Sequence, residues 1–142
     1  MNDRVREAIF RQVEREPFAV KFRMKLVDLE EGSSKVEMLF TPDMENLFGK
    51  AHGGALFALI DEAFETAANS HGTMAVALNM NISYVASPSP GTTLTAEAKE
   101  INKTNRTALY EIKVMETKSR LIASCHALVY RMDKALPFLD QA

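Results

Sequence analysis

The stretch from Asn46 to Gly72 constrains this chain more than any other. A loop, Asn46-Leu47-Phe48-Gly49-Lys50-Ala51-His52, runs into the pair Gly53-Gly54, and a long apolar segment follows. The pattern predicts a helix from about Gly53 to Ser70. Ala55, Leu56, Phe57, Ala58, Leu59, Ile60, Ala63, Phe64, Ala67 and Ala68 cover most of its circumference. At roughly 100° per residue, Asp61, Glu62, Glu65 and Asn69 fall in one stripe about 100° wide. Such a helix is buried on most sides and polar along one strip. Gly72 suits a helix stop in the left-handed backbone region.

Both ends of this helix carry chemistry. The strip could be a solvated face, and Glu62 and Glu65 fit that reading as well as any other. Asp61 is sharper, because Asp is a poor helix former and this one follows Leu59-Ile60 directly. It must reach water or occupy a site that wants a carboxylate. At the other end, the first backbone N–H groups lack partners within the helix, and the dipole adds partial positive charge. Gly53 and Gly54 leave room for a ligand to approach those donors. A carbonyl oxygen placed there would be polarised. The same pair also suits a plain tight entry turn. Gly53 and Asp61 are eight residues apart, about 12 Å along one helix axis. A site using both against a single carbonyl therefore needs two chains, which predicts a dimer with paired interfacial sites.

The 142 residues suit one domain, 1–142, with a core of its own. Formal net charge is −2, from 17 basic and 19 acidic residues that are well mixed, so no nucleic-acid partner is expected. The longest apolar run, Gly53 to Ile60, is far shorter than the roughly 20 residues that span a bilayer. The N-terminus carries acids and no apolar signal core, so a cytoplasmic location is expected, without a membrane partner. A single cysteine excludes an internal disulfide.

The rest of the chain reads as strands around that helix. Residues 3–15 form an amphipathic helix on Val5, Ile9 and Val13, ended by Pro17. Segment 20–29 alternates, with Phe22, Met24 and Leu26 on one face. After a turn at 30–33, Val36, Met38 and Phe40 alternate in their turn, as in a hairpin. Four more strands follow the helix, at 76–86, 92–102, 107–116 and 120–131. In the first, Leu78, Met80, Ile82 and Tyr84 oppose Asn79, Asn81 and Ser83. In the last both faces are largely apolar, as in a strand covered on both sides. Turns are expected at 88–91, 103–106 and Thr117-Lys118-Ser119, and the tail holds Leu136, Phe138 and Leu139. Sequential hairpins around one long helix imply an α+β fold, a curved antiparallel sheet wrapped on that helix.

His52-Gly53-Gly54-Ala55-Leu56-Phe57-Ala58-Leu59-Ile60-Asp61, followed by Ala67-Ala68-Asn69-Ser70-His71-Gly72, resembles the hotdog-fold acyl-CoA thioesterases, and within them the phenylacetate-pathway (PaaI-type) subgroup. The resemblance covers about Phe18 to Met132. It implies the same wrapped-sheet fold, homodimers paired into tetramers, and sites between subunits. It implies that Asp61 is the catalytic carboxylate, as base or nucleophile, and that the Gly53 N–H of the other subunit polarises the thioester carbonyl. Asn46 matches a residue that orients the attacking water. Where relatives carry a Ser this chain has Ala77, for which Asn79 or Asn81 could stand in. Many relatives have an Arg where this chain has Ser87, and Arg106 and Lys103 are the remaining candidates for the CoA phosphates. His52 is either an orienting group in the turn or a catalytic imidazole, beside Gly54 in the substrate-binding set.

Other chemistries fit less well. His52, His71 and His126 are scattered without a chelating spacing, so no metal is expected. No Gly-x-Gly-x-x-Gly is present, so no nicotinamide or flavin is expected, and the thioesterase reading requires no cofactor. Cys125 and His126 are adjacent on a strand and point to opposite faces, which excludes a thiol dyad. His71 is placed as a cation at the helix C-terminus. The alternative function is an acyl-CoA-binding protein without turnover.

Overall fold

The computed structural model describes residues 1–116 and 120–141; the expected turn at Thr117-Lys118-Ser119 lies outside them. Six strands form one antiparallel sheet: β1 (Lys25–Glu30), β2 (Ser33–Leu39), β3 (Thr73–Tyr84), β4 (Thr93–Lys103), β5 (Thr107–Glu116) and β6 (Arg120–Ala135). They lie in the order β1-β2-β4-β5-β6-β3, which leaves β1 and β3 at the edges. Helix α3 (Gly53–Asn69) packs in the hollow of this sheet, and two shorter helices, α1 (Asp3–Val13) and α2 (Pro17–Lys21), precede β1. This is the hotdog architecture, as the strand and helix order implies. Among the described residues no helix is long and apolar enough to cross a membrane.

The burial of α3 explains the arrangement. Leu56, Leu59, Ile60, Ala63, Phe64 and Ala67 are all buried. They meet Val36 and Met38 of β2, Leu94 and Ala96 of β4, and Ile112 and Val114 of β5, all members of one continuous core. The small residues Ala96 and Ala98 let the sheet approach the helix closely. Polar pins fix the helix along its length. The Ser34 hydroxyl donates to the Ala63 carbonyl at 2.6 Å, and the Thr66 hydroxyl reaches Ser34 at 3.0 Å. At the C-terminal end, Asn69 exchanges two hydrogen bonds with the Ala75 backbone, and Ser70 accepts from the Gly32 N–H at 2.8 Å. Asn69 therefore clamps α3 to β3. Gly72 adopts φ +83°, which favours glycine whatever the space, and a Cβ there would also crowd the Val5 side chain at 3.1 Å.

Several local expectations shift. Pro17 opens α2 at its first turn, where its missing N–H is harmless, so residues 17–21 are helical and β1 begins only at Lys25. A bulge between Leu26 and Asp28 then moves the inward face from Leu26 to Leu29. A second bulge between Ala77 and Asn79 removes Leu78 from the row of Met80 and Ile82, and Leu78 is exposed. A third, opposite Val114 and Met115, buries both Ile122 and Ala123 on β6. Beyond it, only one face of β6 is covered: Cys125, Ala127 and Val129 are buried, while His126 and Tyr130 are exposed. Strand β6 also runs on to Ala135, and Leu136 is buried beyond it.

One buried polar network fixes the end of the sheet beneath α3. The fully buried Tyr110 donates its hydroxyl to Glu100 at 2.7 Å, and His71 Nε2 lies 2.6 Å from the same carboxylate oxygen. Burial alone would raise the Glu100 carboxyl, but the Tyr110 hydroxyl and His71 outweigh it and hold it below its ordinary value of 4.5. A carboxyl depressed in the folded state adds stability above its unfolded value, and that contribution disappears as pH falls through the folded one. Tyr110→Phe is therefore expected to lose about 1–2 kcal/mol at pH 7. In urea titrations the deficit should shrink as pH falls through the lowered folded-state value of Glu100, below which the carboxyl is protonated in both states.

Candidate functional site

The N-terminus of α3 is built by a loop that closes on itself. Asn46 Oδ1 accepts from the N–H groups of Phe48 and Lys50, at 2.8 and 3.0 Å, and the Asn46 N–H donates to the Lys50 carbonyl at 2.6 Å. This turn throws Leu47 and Phe48 into solvent, 92% and 79% exposed. Asn46 Nδ2 has only a 3.5 Å approach to the Ala51 carbonyl, so its second hydrogen remains available to a ligand. His52 then caps the helix: its Nδ1 accepts from the Gly54 N–H at 2.8 Å, and its carbonyl accepts from Ala55 and Leu56. The Gly54 donor is thus spent on His52. Among the described residues the Gly53 N–H has no acceptor, which leaves it as the free donor of the glycine pair.

Asn46 and Gly53 open on one cleft. It has a volume of about 390 Å³ and is bounded also by Lys50, Leu56, Tyr84 and Ser87. Tyr84 donates its hydroxyl to the Gly53 carbonyl at 3.3 Å. Sequence reasoning placed Tyr84 only on a strand face, because nothing in local spacing shows that the end of β3 meets the start of α3.

Asp61 lies elsewhere. It is half-buried beside a second cavity of about 230 Å³, lined with Phe64, Ala68, Ala75, Val76, Ala77 and Val129. Burial raises its carboxyl. The N-terminus and the middle of α3 therefore face separate cavities, and within one chain Asp61 and Gly53 do not meet. Asn79 and Asn81 are not brought to Asp61 either. They pair with Leu128 and His126 on the outer face of the sheet, whereas Ala77, Met80 and Ile82 pair with Val129, Ala127 and Cys125 on the inner one.

The acids next to Asp61 do not share one environment. Glu62 is only 2% exposed and is no part of a solvated face. Burial first, then the charges of Glu16 and Glu65, push its carboxyl up to about 9. Glu65 is exposed at its edge but poorly solvated, and desolvation with the Glu16 and Asp61 charges pushes it up to about 7.

The remaining candidates are spread over the surface. Arg106 sits at the tip of the β4–β5 hairpin, on a cavity of about 570 Å³ shared with Thr73, Asn105, Tyr130, Arg131 and Asp133. Arg131 donates to the Thr104 carbonyl at 2.8 Å, so the hairpin tip is held in place. His71 does not cap α3. Ser70 holds that position, and the His71 ring is engaged by Glu100 and Glu31. Burial pushes the Cys125 thiol up to about 11, and the His126 ring points out toward Glu111 at 3.4 Å. Cys125 is therefore an unreactive core thiol.

Comparison with known proteins supplies the family context. The family model described as the thioesterase superfamily matches residues 48–123. A protein of Archaeoglobus fulgidus whose name marks it as an esterase is 39% identical over 113 residues, covering 80% of this chain and 73% of its own. The acyl-coenzyme A thioesterase PaaI of Escherichia coli is 35% identical over 98 residues, 69% of this chain and 70% of its own. The solved structure of the E. coli PaaI protein superposes with a TM-score of 0.89 at 28% identity, covering 94% of this chain and 96% of the other. A Streptococcus mutans protein solved with acetyl-CoA bound superposes with a TM-score of 0.76 at 25% identity, covering 80% and 91%.

The cap geometry has a direct consequence. A Cβ on Gly54 would lie 2.9 Å from His52 Nδ1, whereas one on Gly53 would make ordinary contact with Tyr84 at 3.5 Å. His52→Ala is expected to cost about 1 kcal/mol through the lost cap. Gly54→Ala should expel the ring and lose the same bond, and the double variant should lose little more than either single one. Thermal unfolding of the three variants checks this.

Proposed function

This chain belongs to the thioesterase superfamily and is a hotdog thioester hydrolase of the PaaI type, and from that premise we propose that it hydrolyses acyl-CoA thioesters at sites shared between two copies of itself. One observation carries the reading. A half-buried carboxylate and a free helix-terminal N–H stand on the same helix, about 12 Å apart along its axis, and open on different cavities. A two-fold axis relating two such helices would set Asp61 of one chain against Gly53 of the other. Strand β3 supports such pairing. It is a 12-residue edge strand with one side of its backbone unpaired, and Val76, Leu78, Tyr84 and neighbouring Val85 are exposed along it. A long apolar edge of this kind is a surface for a second strand. Two dimers would then pair into a tetramer.

The chemistry follows from the parts. The thioester oxygen accepts from the Gly53 N–H, where the positive end of the α3 dipole favours developing negative charge. Asp61 takes a proton from water, or attacks the carbonyl carbon itself. Asn46 Nδ2 holds the water, and His52 fixes the turn that aims Gly53. With Asp61 as base, the new C–O bond from water replaces the C–S bond, whose electron pair leaves on the CoA sulfur and takes the proton held by Asp61. With Asp61 as nucleophile, CoA thiolate leaves as a mixed anhydride forms, and water then cleaves it to the free acid and restores the carboxylate. Arg106 and Lys103 would hold CoA phosphates. The cavity beside Asp61, walled by Phe64, Val76, Ala77 and Val129, suits an aryl or medium-chain acyl group. No cofactor enters this scheme.

The test follows free thiol release from phenylacetyl-, hydroxybenzoyl- and straight-chain acyl-CoAs. Asp61→Ala should lower kcat by a factor of about 10² to 10⁴ with the fold intact. Gly53→Pro removes the proposed donor at a first-turn position that tolerates proline. Equal mixing of these two inactive variants with subunit exchange should restore roughly a quarter of wild-type turnover, since half the dimers then hold one complete site. Recovery of none would place both groups of a site in one chain. Binding without turnover across the panel would leave the acyl-CoA-binding reading instead.

A further inference from the structure

Glu62 is unexplained by the chemistry above. Its side chain is buried, and its Oε1 is shielded from solvent with no hydrogen-bond partner. An orphaned buried carboxylate oxygen is costly and calls for a partner. Its neighbours make the need greater. One carboxylate oxygen each from Glu16, Glu62 and Glu65 lie within 4.8 Å of one another. Among the described residues, no lysine, arginine or histidine forms an ion pair with any of the three.

The trio is assembled from separate parts of the chain. Glu62 and Glu65 lie one turn apart on α3, but Glu16 comes from the junction between α1 and α2. Glu16 occupies the N-cap position of α2, yet its side chain makes no capping bond. Instead it is turned inward, with a carboxylate oxygen within 4.8 Å of one on Glu62. A third acid is thus carried across from another element to a place where two acids already repel.

Positive charge is what this cluster lacks. Oxygen ligands that share one ion at 2.0–2.6 Å lie no more than about 5 Å apart, which the observed spacing satisfies. The donor set is carboxylate oxygen alone, which favours Mg²⁺, Mn²⁺ or Ca²⁺ over metals that prefer nitrogen or sulfur. A cavity of about 210 Å³ borders Glu16 and Glu65 and is lined also by Gln12, Thr66 and Asn69. It provides an entry path, and room for water to complete the coordination.

We propose that Glu16, Glu62 and Glu65 form a binding site for one hard divalent cation, which ties the α1–α2 junction to the middle of α3. Its three ligands are not the proposed hydrolytic groups, but the site adjoins them: Glu65 also lines the cavity beside Asp61. It acts on the stability of the fold, and the three carboxylates are its ligands. The competing occupant is the proton, since neutral carboxyls would relieve the same repulsion.

The experiment uses the full chain, freed of metal with a chelator and then dialysed at pH 8. Mg²⁺, Mn²⁺ and Ca²⁺ are added singly, with binding read by calorimetry and stability by thermal unfolding. The expected result is saturable binding of at least one of them, one ion per chain, with a rise of several degrees in Tm. Glu62→Gln and Glu16→Gln should each weaken that binding at least tenfold. Glu65→Gln, altered at the exposed edge, serves if the buried Glu62 variant does not fold. Absence of saturable binding by all three ions overturns the proposal, as does unchanged binding in the folded variants. A metal-free protein that loses stability steadily between pH 5 and 9, with no cation restoring it, would show that protons occupy the cluster and would also overturn the proposal.

Discussion

Everything in this fold depends on hiding one helix. Helix α3 is apolar around most of its circumference, and a single flat sheet could cover only one side of it. The sheet must therefore curve, and β2, β4 and β5 supply its hollow with Val36, Met38, Leu94, Ala96, Ile112 and Val114. Hydrophobic burial supplies the drive but is not directional. Direction comes from the polar pins: Ser34 and Thr66 at mid-helix, and Asn69 and Ser70 at its end. These hold α3 in register, so that its N-terminus meets the end of β3 and Asp61 faces residues near its start.

The same burial creates the electrostatics. Placing Asp61, Glu62 and Glu65 on one stripe of a buried helix removes water from groups that are charged in solution, and their carboxyls are raised in consequence. For Asp61 this setting suits the role of base proposed for it. A carboxylate whose pKa moves up toward the working pH becomes a better proton acceptor. For Glu62 it creates a debt of positive charge that no side chain in the described residues settles. The contrast with Glu100 is instructive. That carboxylate is also partly buried, but two donors, Tyr110 and His71, hold it ionised.

Much of this was legible in the residues. The apolar circumference of 53–69, the alternation of the strands and the turn residues between them led to the wrapped sheet, and the structure has that form. The errors are local, and those in strand facing share one physical cause. The bulges at Leu26–Asp28 and Ala77–Asn79, and the one opposite Val114–Met115, each insert a residue that reverses the inward face, and alternation counted along one strand cannot register an insertion that exists only relative to its partner. Asn79 and Asn81 are the candidate stand-ins for the Ser that relatives carry at Ala77, and the bulge between Ala77 and Asn79 leaves them on the face away from it. The open outer face of β6 was missed because an apolar residue on a strand reads the same whether or not something covers it.

By itself, the sequence determined the identity of the central helix, its glycine entry, its carboxylate stripe and the distance between them, because all of these are properties of local periodicity and spacing along one element. Tertiary structure alone decided which of those groups are free. Folding spent the Gly54 N–H on His52 and left Gly53 open, brought Tyr84 beside it, buried Glu62 while exposing the edge of Glu65, and turned Glu16 in from a distant junction to face them. Availability of a donor or a charge depends on what packs against it, and that is set by segments far apart in the chain.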